Sequence, residues 1–322
     1  MSSGSGDFGL FRFRSPEADH ESGRCDDLVE RCVPSVDVVG SNEVVSVGEN
    51  FVETNGVRLW CETLGDPGAP WVVLISGAYL SAMWWYPEFL DGLTGRGWQV
   101  IRFDNRDVGL STHVDFSTQP YTLSEMVTDT AGLLENLGID RAHFMGISLG
   151  GLIAQLYALR YPERVDSLTL NSTSPGPSDP RLSPPSANLG EIAMRVATTP
   201  EQCDQRLVDL LRAIAGSRFP FDEADVRRTI AIDHARGTNP NWTHGLVAGA
   251  ASSWLDDLSA VRVPTLIIHG TEDPMFPIDH AEALSRAIPS AEMTTWEGVG
   301  HELPRQLIAE QLARMDSHLR SA

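Results

Sequence analysis

Five residues constrain this chain more than any others. Gly146-Ile147-Ser148-Leu149-Gly150 lies between an apolar run, Ala142–Ile147, and a helical pattern, Leu149–Arg160, that stops before Pro162. The run reads as a buried strand and the pattern as the helix that follows it. A serine at that junction is forced into a tight, strained turn that lifts its hydroxyl clear of the sheet. Gly146 and Gly150 leave room for the backbone to close around the turn. The helix N-terminus aims N–H groups and a partial positive charge at the same point. Five matching residues recur by chance; the strand before them and the helix after them give the match its meaning.

The rest of the chain supplies the sheet. Phe51–Thr54 and Val57–Thr63 read as a hairpin turned at Asn55-Gly56, Trp71–Ile75 and Trp98–Phe103 as buried strands, and Val165–Leu170 as another. Leu123–Leu137 has helical spacing and stops at Gly138. Such alternation predicts an α/β fold with a mostly parallel central sheet covered by helices. The rhythm breaks after residue 171. A Pro/Ser-rich loop, Ser172–Pro185, leads into helical patterns over Leu189–Ala250. It resumes with a strand at Pro264–His269, a helix at His280–Ile288, a strand at Glu292–Trp296 and a helix at Gln306–Leu319. The expected organisation is a core in two parts, 48–171 and 263–322, interrupted by a helical lid over 172–262. Residues 1–47 are rich in Ser, Gly and acids and read as a disordered extension with room for one short helix at Asp26–Cys32.

A serine hydroxyl needs a base. Of nine histidines, His301 has the right context: Gly298-Val299-Gly300-His301 follows the last strand and precedes the last helix. His269 ends a strand and reads as structural; His20 falls in the extension, His318 near the C-terminus, His234 and His244 in the insertion; His113, His143 and His280 lack a matching context. The base needs an acid, and Asp273 follows the strand before last, in His269-Gly270-Thr271-Glu272-Asp273-Pro274. Asp before Pro also suits a plain turn, and Glu272 competes for the acid role. Oxyanion donors are expected at the backbone N–H groups of Leu149 and of Ala78, the latter in Ser76-Gly77-Ala78-Tyr79. The charges of Asp104–Ser111 read as loop braces, and Trp84, Trp85 and Tyr86 as either core anchors or pocket wall, anchors being the first reading.

Composition removes several function classes. Net charge is −20, which disfavours nucleic acid and anionic membrane. All 24 basic residues are Arg, so Schiff-base chemistry and a P-loop lysine are excluded. Four scattered cysteines make neither a disulfide framework nor a metal site. No apolar run approaches the roughly 20 residues of a membrane span, and the N-terminus lacks a basic head followed by an apolar stretch. The expectation is a cytoplasmic enzyme without metal or cofactor, whose partners are a small-molecule ester and water.

The elbow, the strand-end Asp273 and the Gly-x-Gly-His301 segment together resemble the α/β-hydrolase superfamily, from Phe51 to the C-terminus. Within it the chain is most similar to the aclacinomycin methylesterase family of actinobacterial esterases. The similarity runs through Leu74-Ile75-Ser76-Gly77, Arg102-Phe103-Asp104-Asn105-Arg106-Asp107, Asp140-Arg141-Ala142-His143, Ala231-Ile232-Asp233-His234-Ala235 and Val263-Pro264-Thr265-Leu266-Ile267. The resemblance implies a Ser148/His301/Asp273 triad, oxyanion donors at Ala78 and Leu149, no cofactor, and cleavage of a carboxylic ester through an acyl-enzyme. The extension has no counterpart there and Ser172–Arg218 matches poorly, so the polyketide substrate is not carried over. Ser148 opposes an epoxide hydrolase or dehalogenase, which use an Asp nucleophile. Readings that keep the same site are a C–C bond hydrolase, a cofactor-free perhydrolase and a non-catalytic ligand-binding module.

Overall fold

Asn55 and Gly56 both take positive φ, 48° and 75°, the twist a two-residue hairpin requires. They join β1 (Gly48–Thr54) to β2 (Val57–Leu64), and the chain continues through β3 (Trp71–Ile75), β4 (Gln99–Phe103), β5 (Ala142–Ile147), β6 (Val165–Asn171), β7 (Thr265–Gly270) and β8 (Ala291–Trp296). These form one eight-stranded sheet in the order β1-β2-β4-β3-β5-β6-β7-β8. The β1–β2 and β2–β4 pairs are antiparallel and all others parallel. The computed structural model describes residues 48–193, 195–236 and 243–322. The extension over 1–47, its helix at Asp26–Cys32 and the thiols of Cys25 and Cys32 lie outside the described residues.

Parallel strands need helical crossovers, and these cover both faces. The helices are α1 (Pro87–Thr94), α2 (Leu123–Asn136), α3 (Leu149–Arg160), α4 (Ala187–Ala193), α5 (Pro200–Ile214), α6 (Glu223–Arg236), α7 (Thr243–Ala250), α8 (Ile278–Ala287) and α9 (Ile308–Arg320). On one face Met126 and Leu134 of α2, Leu152 and Tyr157 of α3 and Leu284 of α8 pack against Val73, Phe144 and Leu168. On the other, Phe89 and Leu93 of α1 and Leu312 and Met315 of α9 pack against Val72, Leu74 and Met145. Each such side chain removed from water contributes about 1.5–3 kcal/mol. The central strands β3, β5, β6 and β7 are almost wholly buried, and β3, covered on both faces, reads accordingly as an unbroken apolar run.

Most element boundaries shift from expectation by one to three residues, and two of the shifts have a local cause. Trp98 stands outside β4: its N–H donates to Leu93 O at the end of α1, and its Nε1–H donates to Asp316 Oδ1 at 2.8 Å. The helix expected from His280 begins at Ile278, with Pro277 as its cap in extended geometry (φ −49°, ψ 158°). Helices α4 to α7 all fall between β6 and β7. Thr199 and Gln202 open α5 with a capping box and Pro200 stands in its first turn, which satisfies donors that a helix start leaves unpaired. Among the described residues, no helix is long and apolar enough to cross a membrane.

Candidate active site

Ser148 joins β5 to α3 with φ 53° and ψ −116°, a conformation that non-glycine residues rarely adopt. The turn is held on both sides: Ser148 N donates to Asn171 O at 3.0 Å, and Thr173 Oγ1 donates to Ser148 O at 2.8 Å. The flanking glycines are required by contact distance. A Cβ on Gly146 would stand 2.2 Å from Gly150 O, and one on Gly150 would stand 2.0 Å from Ile75 O. Any side chain there would push the turn away from β3. The turn leaves Ser148 half-buried, in the wall of a cavity of about 240 Å³ that His301 and Ala78 also line.

Asp273 and His301 come together from the loops after β7 and β8. His301 Nδ1 lies 2.7 Å from Asp273 Oδ2, and both residues are buried. Asp273 Oδ1 accepts from Met275 N at 2.9 Å and Phe276 N at 2.8 Å. Burial pushes this carboxyl up, but the charge and hydrogen bond of His301, with His269 and the Phe276 N–H, hold it below the ordinary carboxylate range. His269 lies beside the acid: its Nε2 is 3.4 Å from Asp273 Oδ2 and donates to Phe276 O at 2.7 Å. A strand-end histidine read only as structural thus borders the acid. Glu272, the competing acid, is occupied elsewhere: its carboxylate accepts from Ser217 N and Ser217 Oγ, each at 2.8 Å.

The segment after α5 locks onto the His301 loop. His301 N donates to Ile214 O at 2.7 Å and Arg218 N to Gly298 O at 2.8 Å. Gly216 N donates to Glu302 Oε1 at 2.9 Å. A Cβ on Gly300 would stand 2.1 Å from Ile214 O, so the two backbones meet with no side chain between them.

The loop after β3 carries Ala78 and Tyr79, the latter at φ 68°. Leu149 opens α3, where the first N–H groups of a helix have no intrahelical acceptor. Asp104, fully buried, braces the neighbouring loops: it accepts from Ala82 N at 2.7 Å and Leu110 N at 2.9 Å and pairs with Arg236 at 3.0 Å. Burial raises its carboxyl despite Arg236. The aromatic triplet divides its roles. Trp85 is a buried anchor stacked on Phe89 with centroids 5.6 Å apart. Trp84 donates from Nε1 to Asp233 Oδ2 at 2.7 Å. All three residues also border the cavity, so the pocket-wall reading applies beside the anchor reading.

Sequence reading missed two residues of the insertion. Asp233 accepts from Trp84 and from Ser81 Oγ, and His244 reaches Tyr79. Partners 149 and 165 positions away leave no local pattern to read. The remaining cavity wall is mainly apolar, with Leu207, Leu211, Phe219, Phe221 and Met275. Asp222, Asp225, Glu302 and Arg305 supply its charge. Arg305 bonds Glu88 and lies 3.2 Å from Asp225. Burial, with Asp225 next, pushes the Tyr86 hydroxyl up to about 12.

A serine after the fifth strand, with an Asp and a His following in that chain order on a mostly parallel sheet, is the arrangement of the α/β-hydrolases, and this is the protein's class. Residues 68–306 match the family model described as serine aminopeptidase, S33, and the chain belongs to that family. It is 34% identical over 292 residues to rhodomycin D methylesterase of Streptomyces peucetius, covering 84% of this chain and 98% of that protein. Its fold is similar to the meta-cleavage product hydrolase of Pseudomonas fluorescens IP01, with TM-score 0.71 and 22% identity over 84% of this chain and 97% of that one. It is also similar to the enol-lactonase of Burkholderia xenovorans LB400, with TM-score 0.67 and 22% identity over 85% and 100% of the two chains. The protein is an ester-hydrolysing serine hydrolase.

Proposed function

We propose that Ser148 is the nucleophile, His301 its base and Asp273 the group that orients the base. Ser148 Oγ attacks the ester carbonyl while His301 Nε2 takes its proton. Asp273 holds Nδ1–H, which leaves Nε2 as the basic nitrogen, and it stabilises the imidazolium that forms. The N–H groups of Ala78 and Leu149 receive the developing oxyanion. Collapse of the tetrahedral intermediate breaks the bond to the alkoxy oxygen, and His301 returns the proton to the departing alcohol. A water, deprotonated by His301, attacks the acyl-enzyme; its collapse frees the acid and restores the Ser148 hydroxyl. The observation that carries this reading is the 2.7 Å Asp273–His301 contact on the wall of the cavity that Ser148 lines.

The 34% identity to a methylesterase supports a methyl ester as the bond cleaved, with methanol leaving. The largely apolar, aromatic-lined wall supports a partly apolar acyl group of small-to-medium size. In this reading 172–262 is a lid that shapes the acyl side, set between core segments 48–171 and 263–322.

The test is a fluorophosphonate label mapped by mass spectrometry, followed by an ester panel. Label at Ser148, absent in Ser148→Ala and weakened in His301→Ala, is expected. Aromatic methyl esters are then expected to be cleaved in preference to long-chain alkyl esters and aminoacyl anilides. A folded wild type that takes no label would replace this reading with a ligand-binding module.

A further inference from the structure

His244, in the insertion, has no place in the chemistry above, yet it makes two directed bonds next to it. Its Nδ1 lies 3.1 Å from Tyr79 N, and its Nε2 lies 2.7 Å from Arg106 O. A backbone N–H only donates and a carbonyl only accepts, so the ring is the neutral tautomer with its proton on Nε2. An imidazolium would face N–H against N–H. Burial favours the neutral form as well: His244 is 1% exposed, and desolvation holds its pKa below the ordinary histidine value.

Both ends of the bridge are firm. Arg106 is clamped by Asp129, with Nε and one terminal nitrogen each 2.6 Å from the carboxylate. Thr243, the neighbour of His244, donates to Asp107 Oδ2 at 2.9 Å, and Tyr121 donates to the same oxygen at 2.7 Å. At the other end, Tyr79 is held in the left-handed region at φ 68°. Its ring stacks on His244 at 6.1 Å and 18°, and its hydroxyl meets the backbone of Gly245, where a Cβ would stand 2.0 Å away. A strained turn persists only where its surroundings over-determine it, and here the insertion provides those surroundings.

Bonding of Tyr79 N to His244 fixes the Ala78–Tyr79 peptide plane. The preceding N–H, that of Ala78, lies in the adjoining Gly77–Ala78 peptide, whose carbonyl accepts from Leu80 N at 3.4 Å. We propose that His244 is a positioning residue for oxyanion stabilisation: from the insertion, its neutral imidazole bridges Arg106 O and Tyr79 N and so aims the Ala78 N–H at the carbonyl attacked by Ser148. This rests on the nucleophile and oxyanion assignments above. It makes the insertion part of the catalytic geometry as well as a cover over the cavity.

The experiment compares His244→Gln, which keeps one acceptor and one donor, with His244→Met, which fills a similar volume and keeps neither. The probe is p-nitrophenyl acetate, with rates normalised to sites titrated by fluorophosphonate. His244→Met is expected to lose about 10- to 100-fold in kcat. Its KM should stay within about twofold, and His244→Gln within about threefold of wild-type kcat. A folded His244→Met with wild-type kcat, or a Gln variant as slow as Met, overturns the proposal. Wild type that takes no label at Ser148 sinks the nucleophile assignment and this role with it, whereas labelled wild type and unimpaired Met sink this role alone. Nitrogen-15 NMR of the wild-type imidazoles decides the matter even if Met does not fold: His244 protonated at Nδ1 near neutral pH refutes the bridge.

Discussion

Asp273 Oδ2 lies 2.7 Å from His301 Nδ1, and the other oxygen of the same carboxylate is taken by two backbone N–H groups. The carboxylate therefore cannot turn without breaking three hydrogen bonds, and it holds the imidazole in one orientation. Asp273→Asn presents an N–H where an acceptor is needed or leaves the wrong tautomer in place. A loss of about 10³- to 10⁴-fold in kcat is expected, with the fold intact. Steady-state kinetics on a p-nitrophenyl ester, beside a circular dichroism spectrum, would show it; near-normal turnover would remove Asp273 from the mechanism.

Glu272 provides the matched control. It precedes Asp273 in sequence, but its oxygens hold Ser217. Glu272→Gln keeps one acceptor oxygen and is expected to change kcat by less than about threefold, since the bonds lost lie away from the reacting atoms. If this variant were the crippled one and Asp273→Asn the active one, the acid would be reassigned.

The elbow glycines make a stability prediction independent of chemistry. A Cβ at position 150 meets backbone, Ile75 O at 2.0 Å, where no rotamer can relieve it. Gly150→Ala should cost about 3 kcal/mol or more, at the upper end of overpacking effects. Urea denaturation monitored by tryptophan fluorescence measures this directly. An unchanged midpoint would mean that α3 does not approach β3 this closely.

Much of this geometry was legible in the sequence, and the reason is local. The bounds of β3, β5 and α3 follow from largely apolar runs, a small-residue turn and a proline. Asp273 and His301 could be nominated because each stands just beyond a strand, where a parallel sheet gathers its loops. Contacts formed only when distant segments meet were not legible. His244 resembled any histidine in a helical stretch; its partners lie 138 and 165 positions away. Gly216 fell inside the helical pattern of the insertion and Gly300 in the segment before His301, and only the folded chain shows one backbone pressed against the other. Trp98 joined the strand pattern because it is apolar, whereas its indole N–H is bound to Asp316 beside β4.

Acid sensitivity follows from three buried histidines. His143, His244 and His269 are all held below the ordinary histidine value, in each case chiefly by desolvation. Below about pH 6.5 the unfolded chain binds protons at these sites that the native protein excludes. Stability therefore rises with pH in that window, and it is lost as pH falls from about 6.5 toward the depressed native values. Each histidine contributes at most about 1.4 kcal/mol per pH unit. Urea midpoints at pH 7.5, 6.5 and 5.5 should fall in that order. A flat profile would show that these rings accept protons in the folded state.

The shape of the cavity makes the last prediction. Leu207 on α5 lines its wall, on an element that also reaches Ile214 and the His301 loop. Leu207→Trp adds bulk on the side assigned to the acyl group. For a bulky aromatic methyl ester, kcat/KM should fall by about tenfold or more, a loss of roughly 1.4 kcal/mol or more. For p-nitrophenyl acetate, whose acyl group is two carbons, the change should stay within about threefold. Equal losses on both substrates would mean that the substitution disturbs Ile214 and, through it, His301. Equal retention on both would put the bulky group elsewhere and remove α5 from substrate selection.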